Sequence, residues 1–344
     1  MSFNQYTWDL YKQTTIGIEM IKYFSDAGGY VLFKDYCPYA NFIPEDLYND
    51  WLENIYCYGV SDYDHPSSLE EAKDLYISLI TLGIRVEGQQ WLPANDFKNM
   101  LGIIQPMSYV LSQFAPEYFF PYLFLCRIFE LNKIADFFNI DLPNIPKRTD
   151  YKGRCMYYWE LCEVFYLFRK ENGLSPADLW SFLYDFAPNN LPSEKIDMPK
   201  PSQVWFIGGR LYQEDKSLES KFWQSSPETK KGDILVHYET SPISAITCIE
   251  ISLTDGVIDP LFRYYGCIYI GNRINIPHIT LKELQTDEYF FKHPLVRKNF
   301  QGVNGWSVNS ENYSELLRMI KTKGFDIEVL PKLYAPTLPK DVII

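Results

Sequence analysis

The first 190 residues place apolar side chains at the spacing of amphipathic helices. Ser68 and Glu71 have the spacing of a capping box, and they precede an apolar repeat over Ala72 to Leu82. The same spacing predicts three further helices, over Lys98 to Phe114, Tyr118 to Phe138 and Arg154 to Lys170. This part of the chain is therefore expected to be mainly helical.

A turn and a second helix follow the last of these runs. Asn172-Gly173 is a C-cap sequence, and Ser175, Pro176 and Asp178 are typical of a helix start. A DNA-reading helix-turn-helix has this outline, but its second helix exposes basic and polar groups. Here that helix carries Leu179, Trp180, Phe182, Leu183 and Tyr184. We therefore predict that it packs in a core.

The pattern changes after Leu191 to Pro201, a segment with three prolines that is the best linker candidate. Short apolar runs bounded by turn residues then predict strands, over Val204 to Ile207 (ended by Gly208-Gly209), Asp233 to Tyr238, Ala245 to Leu253 and Tyr264 to Ile270. Thr280 with Glu283 predicts a short helix, and Asn309 or Ser310 is expected to cap a closing helix through Lys321.

These elements predict an α+β protein in which a helical N-terminal domain is followed by a small mixed β-barrel with short helices. The expected boundaries are residues 1–190 for the helical domain, 191–201 for the linker, 202–325 for the barrel and 326–344 for a C-terminal extension. A length of 344 residues is consistent with two hydrophobic cores.

The most apolar stretch, Tyr118 to Phe129, contains Pro121 and Arg127 and is shorter than the ~20 apolar residues of a membrane span. We interpret it as a buried helix. Seven cysteines are scattered along the chain without a CxxC pair, which argues against a disulfide framework and a zinc site. Cys155 and Cys162, two helical turns apart, are expected to face a core. With no evident secretory signal, these thiols favour a cytoplasmic protein.

The net charge of −12 is confined to the first half of the chain. Residues 1–199 carry 15 Lys and Arg against 27 Asp and Glu, whereas residues 200–344 carry 17 of each. An acidic surface repels phosphate, so nucleic acid is expected to bind the second half or not at all. The acidic half could instead dock a basic protein partner.

Sequence signatures of catalysis are missing. The chain has no GxxxxGK[ST] loop, no GxSxG elbow and no HExxH pair, and its four histidines lack the spacing of metal ligands. His237 is expected to face the opposite side of its strand from Tyr238. We expect no cofactor and no metal, and we consider an enzyme less probable than a binding protein, although a Cys–His nucleophile remains open.

Residues 203 to 320 resemble the EVE branch of the PUA superfamily, to which YTH domains are related. The most specific segment is Gly232-Asp233 followed by the apolar strand to Tyr238, a small polar loop through Ser241 and a returning strand from Ile243 to Ile249. Trp205 before Gly208-Gly209, a short helix with Phe222-Trp223, and Tyr264-Tyr265 also fit the order of the family's features. So do the run at residues 279 to 284 and the end from Arg297 to Trp306.

This resemblance implies a compact barrel with an aromatic pocket for a flipped modified base, a nucleotide or a similar planar group. The candidate walls are Trp205, Trp223, Tyr238 and Trp306, and the candidate polar readers are Ser241, Asn299, Gln301 and Asn304. Arg297 and Lys298 are candidates for holding a phosphate. Stacking on one aromatic ring is worth about 1–3 kcal/mol per base.

For several of these residues a structural role is equally compatible with the pattern. Trp205 lies in an apolar strand and is more often core than pocket, whereas Trp306, in a Gly- and Asn-rich loop, is the ring we favour most. By resemblance, such readers accompany defence or nucleic-acid modification systems. Two other hypotheses stay open: a protein-interaction module that docks a partner through its acidic half, and an enzyme with a dispersed active site.

Overall fold

The computed structural model describes residues 3–37, 40, 43–86, 89–192, 198–210 and 221–334. The protein is α+β, with a helical N-terminal part and a curled mixed β-sheet in the C-terminal part, which confirms the predicted fold class. It divides into two compact units. The first comprises Met1–Glu194 with Asp259–Tyr265, and the second comprises Lys195–Ile258 with Gly266–Ile344.

The first unit is built from eleven α-helices in the described residues. They are α1 (Gln5–Gln13), α2 (Thr15–Asp26), α3 (Gly29–Tyr36), α4 (Glu45–Cys57), α5 (Leu69–Leu82), α6 (Phe97–Met100), α7 (Ile104–Phe114), α8 (Ile128–Phe138), α9 (Tyr151–Glu171), α10 (Pro176–Ser181) and α11 (Ala187–Asn190). No helix in the described part of the chain is long and apolar enough to cross a membrane.

The predicted helix starts are confirmed. The Ser68 hydroxyl accepts a hydrogen bond from the Glu71 amide at the start of α5, although the Glu71 carboxylate returns to Ser67 rather than to Ser68. At α10 both bonds of the capping box form between Ser175 and Asp178. The cap and turn residues therefore determined these helix ends locally.

The predicted helix over Tyr118 to Phe138 is wrong in its first half. Residues 118–127 are irregular and mostly buried, and α8 begins only at Ile128. Pro121 lacks an amide hydrogen and disfavours helical backbone in the residue before it, so a helix cannot continue through this segment. The apolar run is buried, as expected, but not as a helix.

Buried hydroxyl groups replace the missing helical hydrogen bonds of this segment. The Tyr122 amide donates to the Ser108 hydroxyl at 2.8 Å, and the Tyr158 hydroxyl donates to the Phe120 carbonyl at 2.7 Å. Tyr184 does both, since its hydroxyl donates to the Pro121 carbonyl at 2.5 Å and accepts from the Leu123 amide at 3.3 Å. Backbone polar groups buried away from water are thus satisfied by side chains of α7, α9 and the segment after α10.

The core of the first unit is unusually aromatic. The residues predicted to pack after the Gly173 turn are all buried, which confirms core packing for Leu179, Trp180, Phe182, Leu183 and Tyr184. Phe182 to Phe186 form a π-helical turn, and the rings of Phe182 and Phe186 meet Trp8 of α1 edge to face. Cys155 and Cys162 are buried in this core, as expected.

A short hairpin in this unit was not predicted. β1 (Ile84–Val86) pairs with the antiparallel strand β2 (Gln89–Leu92). Each strand has only three or four residues, too few for an alternating pattern to be recognised. The hairpin follows Gly83, whose φ of +77° is a conformation that glycine adopts readily.

The segment Asp259–Tyr265 is held to the first unit by one buried arginine. The Arg154 side chain donates to the carbonyls of Pro260 and Phe262 at 2.8 and 2.7 Å and to that of Arg148 at 3.0 Å. The Asp259 carboxylate accepts from the amides of Leu261 and Phe262 through one oxygen. Its other oxygen is buried without a hydrogen-bond partner among the described residues, and burial raises the pKa of Asp259 to about 6.

The second unit is a curled sheet with strand order β4-β8-β6-β5-β3-β9, and β7 pairs with β8 beside this path. The strands are β3 (Val204–Gly209), β4 (Lys221–Gln224), β5 (Ile234–Glu239), β6 (Ala245–Ser252), β7 (Val257–Ile258), β8 (Gly266–Thr280) and β9 (Trp306–Val308). β3 and β5 are parallel, and the other pairs are antiparallel. Register shifts in the β5–β6 and β6–β8 pairs are β-bulge positions that increase the bend of a sheet.

Two sequence predictions for this unit are wrong. Phe222-Trp223 was expected in a helix but lies in β4, where it pairs with Ile268 and Tyr269 of β8. The strand predicted to end at Ile270 continues to Thr280. In both cases the decisive contacts are with strands distant in sequence, which a local pattern cannot show.

One face of the sheet is covered by helices α12 (Leu281–Thr286), α13 (Pro294–Arg297) and α14 (Ser310–Thr322). The capping box predicted at Thr280 and the helix cap predicted at Asn309 are both confirmed. Val204, Phe206 and Val236 face this core, while Trp205, Ile207 and Leu235 point to the other, concave face. The core also contains Leu330 of the predicted extension. Residues 193–197 of the predicted linker and 335–344 of the extension lie outside the described residues.

Tyr184→Phe is expected to lower the free energy of unfolding by about 1–3 kcal/mol, because it leaves a buried carbonyl and a buried amide of the irregular segment without their partner. Tyr6→Phe, at a ring that is 73% exposed, is the matched control and should change it little. Denaturant unfolding of the full chain measures both. An equal effect of the two substitutions would contradict the role of the Tyr184 hydroxyl.

Asp259→Asn is expected to stabilise the protein above pH 6 but not at pH 4. The folded-state pKa of Asp259 is raised, so this residue contributes to stability in its protonated form, fully at pH values below its unfolded pKa. That contribution is lost as the pH rises through about 6. Asparagine keeps the accepting oxygen and cannot ionise, and the gain at pH 7.5 is about 1–3 kcal/mol. Melting temperatures from pH 4 to 8, with the exposed Asp141→Asn as control, test this. A wild-type-minus-variant difference that does not vary with pH would refute it.

Candidate functional site

The concave face of the sheet is crossed by the ring of Trp223. Trp223 lies in β4 at one end of the sheet, but its ring lies against Gly209 of β3, four strand positions away. A Cβ at Gly209 would come within 2.6 Å of Trp223 Cζ2, so only glycine permits this approach. The contact draws the two ends of the sheet toward each other.

The Asn304 side chain links the same two strands, β3 and β4, beside the Trp223 ring. Its side-chain oxygen accepts from the Gly208 amide at 2.8 Å, and its Nδ2 donates to the Gln224 side-chain oxygen at 3.2 Å. Gly305 adopts a φ of +75°, and a Cβ there would lie 2.5 Å from the Ser226 nitrogen. The Asn304-Gly305 pair is thus both the predicted turn and the link between β3 and the end of β4.

A cluster of charged groups lies on the same face. His237 Nδ1 and Glu250 Oε2 are 3.0 Å apart, and Arg273 donates to Glu250 Oε1 through Nε at 2.7 Å and Nη2 at 2.6 Å. His237 and Glu250 are 0% and 1% exposed, and Arg273 is 7% exposed. His237 and Tyr238 face opposite sides of the sheet, as predicted.

The carboxylate of Glu250 is ionised in this environment. Burial by itself would raise its pKa, but the hydrogen bond and charge of His237 and the charge of Arg273 outweigh burial and lower it. An ionised carboxylate can only accept, so the proton between the two side chains resides on His237 Nδ1. In the neutral ring, His237 Nε2 is then a hydrogen-bond acceptor.

His237 Nε2 is buried and has no hydrogen-bond partner among the described residues. The ring of Trp223 lies beside it, with its centroid 4.8 Å from that of His237 at an interplanar angle of 62°. A buried polar atom without a partner costs about 1–3 kcal/mol. His237 Nε2 is therefore a position at which a hydrogen bond to a ligand would be favourable.

Three residues of this region carry groups that can act as metal ligands. Donor atoms of His237, Cys248 and Glu250 lie within 4.8 Å of one another. However, Glu250 is engaged by Arg273, whose positive charge opposes a second cation. Burial also raises the pKa of the Cys248 thiol to about 12, which disfavours the thiolate that a metal or a nucleophilic mechanism needs. The arrangement fits a buried ion pair better than a metal centre.

Trp205 has a structural role next to this site. Its Nε1 donates to Asp233 Oδ2 at 2.9 Å, and the same carboxylate accepts from the Gln203 amide at 3.0 Å and the Lys230 amide at 2.9 Å. Gly232, at a φ of +91°, lies so close to Pro199 that a Cβ would meet its carbonyl oxygen at 2.5 Å. The Gly-Asp pair thus orients Trp205 and joins β3 to β5.

The four predicted wall residues are divided between the two faces of the sheet. Trp205 and Trp223 share the concave face. Tyr238 and Trp306 lie on the helix-covered face, where Tyr238 stacks on Phe300 with centroids 4.0 Å apart and Trp306 is half-buried against the core. Register explains the division, because Trp306 pairs with Phe206, and Trp205 points the other way. The four rings do not line one pocket.

The remaining predicted polar residues are exposed. Only Asn304 of the four readers touches the concave-face closure. The others, with the two predicted phosphate ligands, lie in surface loops or at the end of α13: Ser241, Asn299, Gln301, Arg297 and Lys298. Asn299 Oδ1 accepts a hydrogen bond from Gln285 of α12 at 3.0 Å. Whether any of them binds a ligand stays a prediction.

Sequence reasoning missed Glu250, Arg273 and Cys248. The available signal was a single carboxylate between Ile249 and Ile251 in a strand that is otherwise nearly all apolar. A charge at such a position is rarely buried without a partner. The partners, however, come from β5 and β8, and the register shifts of β6 conceal which residues face each other.

Glu250→Gln is expected to lower the free energy of unfolding at pH 7 by about 3–5 kcal/mol, because the buried Arg273 loses the charge of the Glu250 carboxylate. The pKa of Glu250 is lower in the folded protein than in the unfolded chain, so its ionised carboxylate stabilises the fold at pH values above the unfolded pKa. This stabilisation is lost as the pH falls through the folded pKa. The difference in unfolding free energy between wild type and Glu250→Gln should therefore narrow in acid. Unfolding curves at pH 7 and pH 4, with the exposed Glu228→Gln as control, check this; a gap that widens in acid would contradict it.

No family model and no curated protein matches the chain. Among solved structures it is similar to the NMR structure of Rpa0253 from Rhodopseudomonas palustris, at 14% sequence identity, over 35% of this chain and 94% of that chain. The TM-score is 0.31, which is too low to carry an argument about fold or function. The function must therefore be argued from the site itself.

Proposed function

We propose that the second unit is a non-catalytic, PUA/EVE-like reader that binds a modified base, a nucleotide or a similar planar ligand. The observation that carries the proposal is the buried, unpartnered Nε2 of His237 beside the half-buried ring of Trp223. An aromatic face and a fixed polar atom at its edge are the two elements that recognition of a planar heterocycle requires.

The ion pair behind His237 sets the chemistry of recognition. Glu250 accepts from Nδ1, so Nε2 is the ring nitrogen left for a ligand: it accepts a hydrogen bond when the imidazole is neutral and donates one when the imidazole is protonated. The matching ligand group is a ring N–H or an exocyclic amine in the first case, and a carbonyl or ring nitrogen in the second. A modification that adds or removes such a group changes the fit by the cost of an unpaired polar group, about 1–3 kcal/mol.

The rim of the site supplies further polar contacts. The Asn304 side chain and Gly209 lie beside Trp223 and are only half-buried. Arg297 and Lys298 are exposed at the end of α13, a helix of the opposite face, and we keep as a separate proposal that they hold a phosphate of the ligand. The balanced charge of residues 200–344 favours a nucleotide or an extruded base over tight binding of an intact duplex.

A non-catalytic role fits the protonation states at this site. The Cys248 thiol, with a pKa of about 12, stays protonated and is not activated as a nucleophile. Glu250 is neutralised by two partners and is not available as a general base. We propose a cytoplasmic location, supported by the seven free thiols, six of them buried. The proposed place in a defence or nucleic-acid modification system rests on the resemblance to the PUA/EVE family.

A second function is favoured by the charge of the first unit. Residues 1–199 have a net charge of −12, which suits docking of a basic protein partner at low ionic strength. This role does not compete with ligand binding by the second unit, since it concerns different residues. Association that weakens as salt rises, without any effect of nucleic acid, would support it.

We expect the affinity of the full chain for these ligands to depend on their modification. We also expect Trp223→Ala to lower this affinity at least tenfold. The measurement is titration of modified and unmodified oligonucleotides and free nucleosides at low salt. Trp223→Phe should retain part of the affinity, because a smaller ring still stacks. Trp306→Ala is the matched control, since it removes a half-buried tryptophan from the opposite face.

Circular dichroism and melting temperature establish that each variant is folded. Loss of binding in Trp306→Ala but not in Trp223→Ala would move the ligand to the other face and reject the concave site. No binding of any probe by the folded wild type at low salt, where phosphate attraction is greatest, would reject the reader function.

A further inference from the structure

The first unit contains a separate cleft with a volume of about 280 Å³. Three stretches form its walls: residues 98–105 around the start of α7, residues 122–126 of the irregular buried segment, and residues 261–263. All of them belong to the first unit. The volume is at the lower end for small-molecule sites.

The charge of this cleft is opposite to that of its surroundings. In a unit with a large acidic excess, the lining residues include Lys98 and Arg263 but no carboxylate. Neither cation forms an ion pair with any residue in the described part of the chain. The Arg263 guanidinium carbon lies 5.9 Å from the centroid of the Tyr264 ring. The local field therefore favours an anion.

The start of α7 contributes further positive potential. This helix has eleven residues and begins at Ile104 without a side-chain cap; a 3₁₀ turn over Leu101–Ile103 runs directly into it, and its third residue, Pro106, has no amide hydrogen. Ile104 and Gln105 line the cleft. The contribution of this helix is therefore mainly the partial positive charge of its dipole, which favours an anionic group.

An independent observation comes from Tyr122. Tyr122 is one of the lining residues and is 1% exposed, and its hydroxyl is buried without a hydrogen-bond partner among the described residues. The Asp259 carboxylate does not serve as the hydrogen-bond partner of this hydroxyl. It acts on Tyr122 electrostatically, without a hydrogen bond between them, and it does not line the cleft. The Tyr122 hydroxyl is a donor that an incoming acceptor would satisfy.

The apolar part of the lining indicates what carries the anionic group. Leu101, Leu125, Leu261 and Phe262 lie around the cleft. From this geometry we infer that the cleft binds a small organic anion, a carboxylate or a phosphate monoester on an apolar or aromatic body. The anionic group lies toward Lys98, Arg263 and the start of α7, and the body contacts the apolar lining. This inference does not depend on the proposed reader function.

The test is calorimetric titration of the full chain at low salt with phenyl phosphate and with benzoate, using benzylamine as the cationic counterpart of the same size. Lys98→Gln/Arg263→Gln is expected to weaken anion binding at least tenfold. Lys34→Gln/Lys73→Gln, which removes two exposed cations elsewhere in the same unit, should change it less than twofold. Binding of only one of the two anions would support the site and identify the ligand class.

Tyr122→Phe separates a ligand-binding hydroxyl from a structural one. It removes an unsatisfied buried group, so the melting temperature of the free protein should stay equal or rise while anion affinity falls several-fold. The inference is overturned by benzylamine binding as tightly as the anions, by anion binding that is equal in the two charge variants, or by absence of anion binding in the folded wild type.

Discussion

The contact between Trp223 and Gly209 is the constraint on which the second unit depends. Strand β4 stands at one end of the sheet and β3 near the other, and the tryptophan ring spans the concave face between them. The Asn304 side chain adds hydrogen bonds to both ends. A sheet that bends this far needs bulges and glycines where backbone and ring approach closely, and both are present. The candidate site exists because of this curl.

The curl also encloses charged groups that a flat sheet would leave in water. Glu250 keeps its charge only because His237 and Arg273 bond to it from the neighbouring strands. Ion pairs buried in this way add little net stability, since desolvation offsets attraction. Their consequence is orientation: Glu250 engages Nδ1 of His237, and Nε2 is therefore the ring nitrogen that the concave face offers to a ligand.

The first unit buries a segment that has no regular secondary structure. Residues 118–127 pass through the core, and hydroxyls of Ser108, Tyr158 and Tyr184 satisfy their backbone groups. This explains part of the high tyrosine content, because a tyrosine supplies both apolar area and one polar atom. The same segment places Tyr122 and Cys126 along the cleft of the first unit. The unsatisfied Tyr122 hydroxyl therefore belongs to a segment that is buried without being helical.

Local sequence determined the helix starts at Ser68, Ser175 and Thr280, the strand runs near Val204 and Ile234, and the opposite facing of His237 and Tyr238. These depend on neighbours within four residues or on the two-residue period of a strand. Tertiary structure alone decided that Phe222-Trp223 is a strand, that Trp306 and Trp223 lie on opposite faces, and that Glu250 meets Arg273. Each of these depends on pairing register and bulges between distant strands, and a shift of one residue there exchanges the two faces of a sheet.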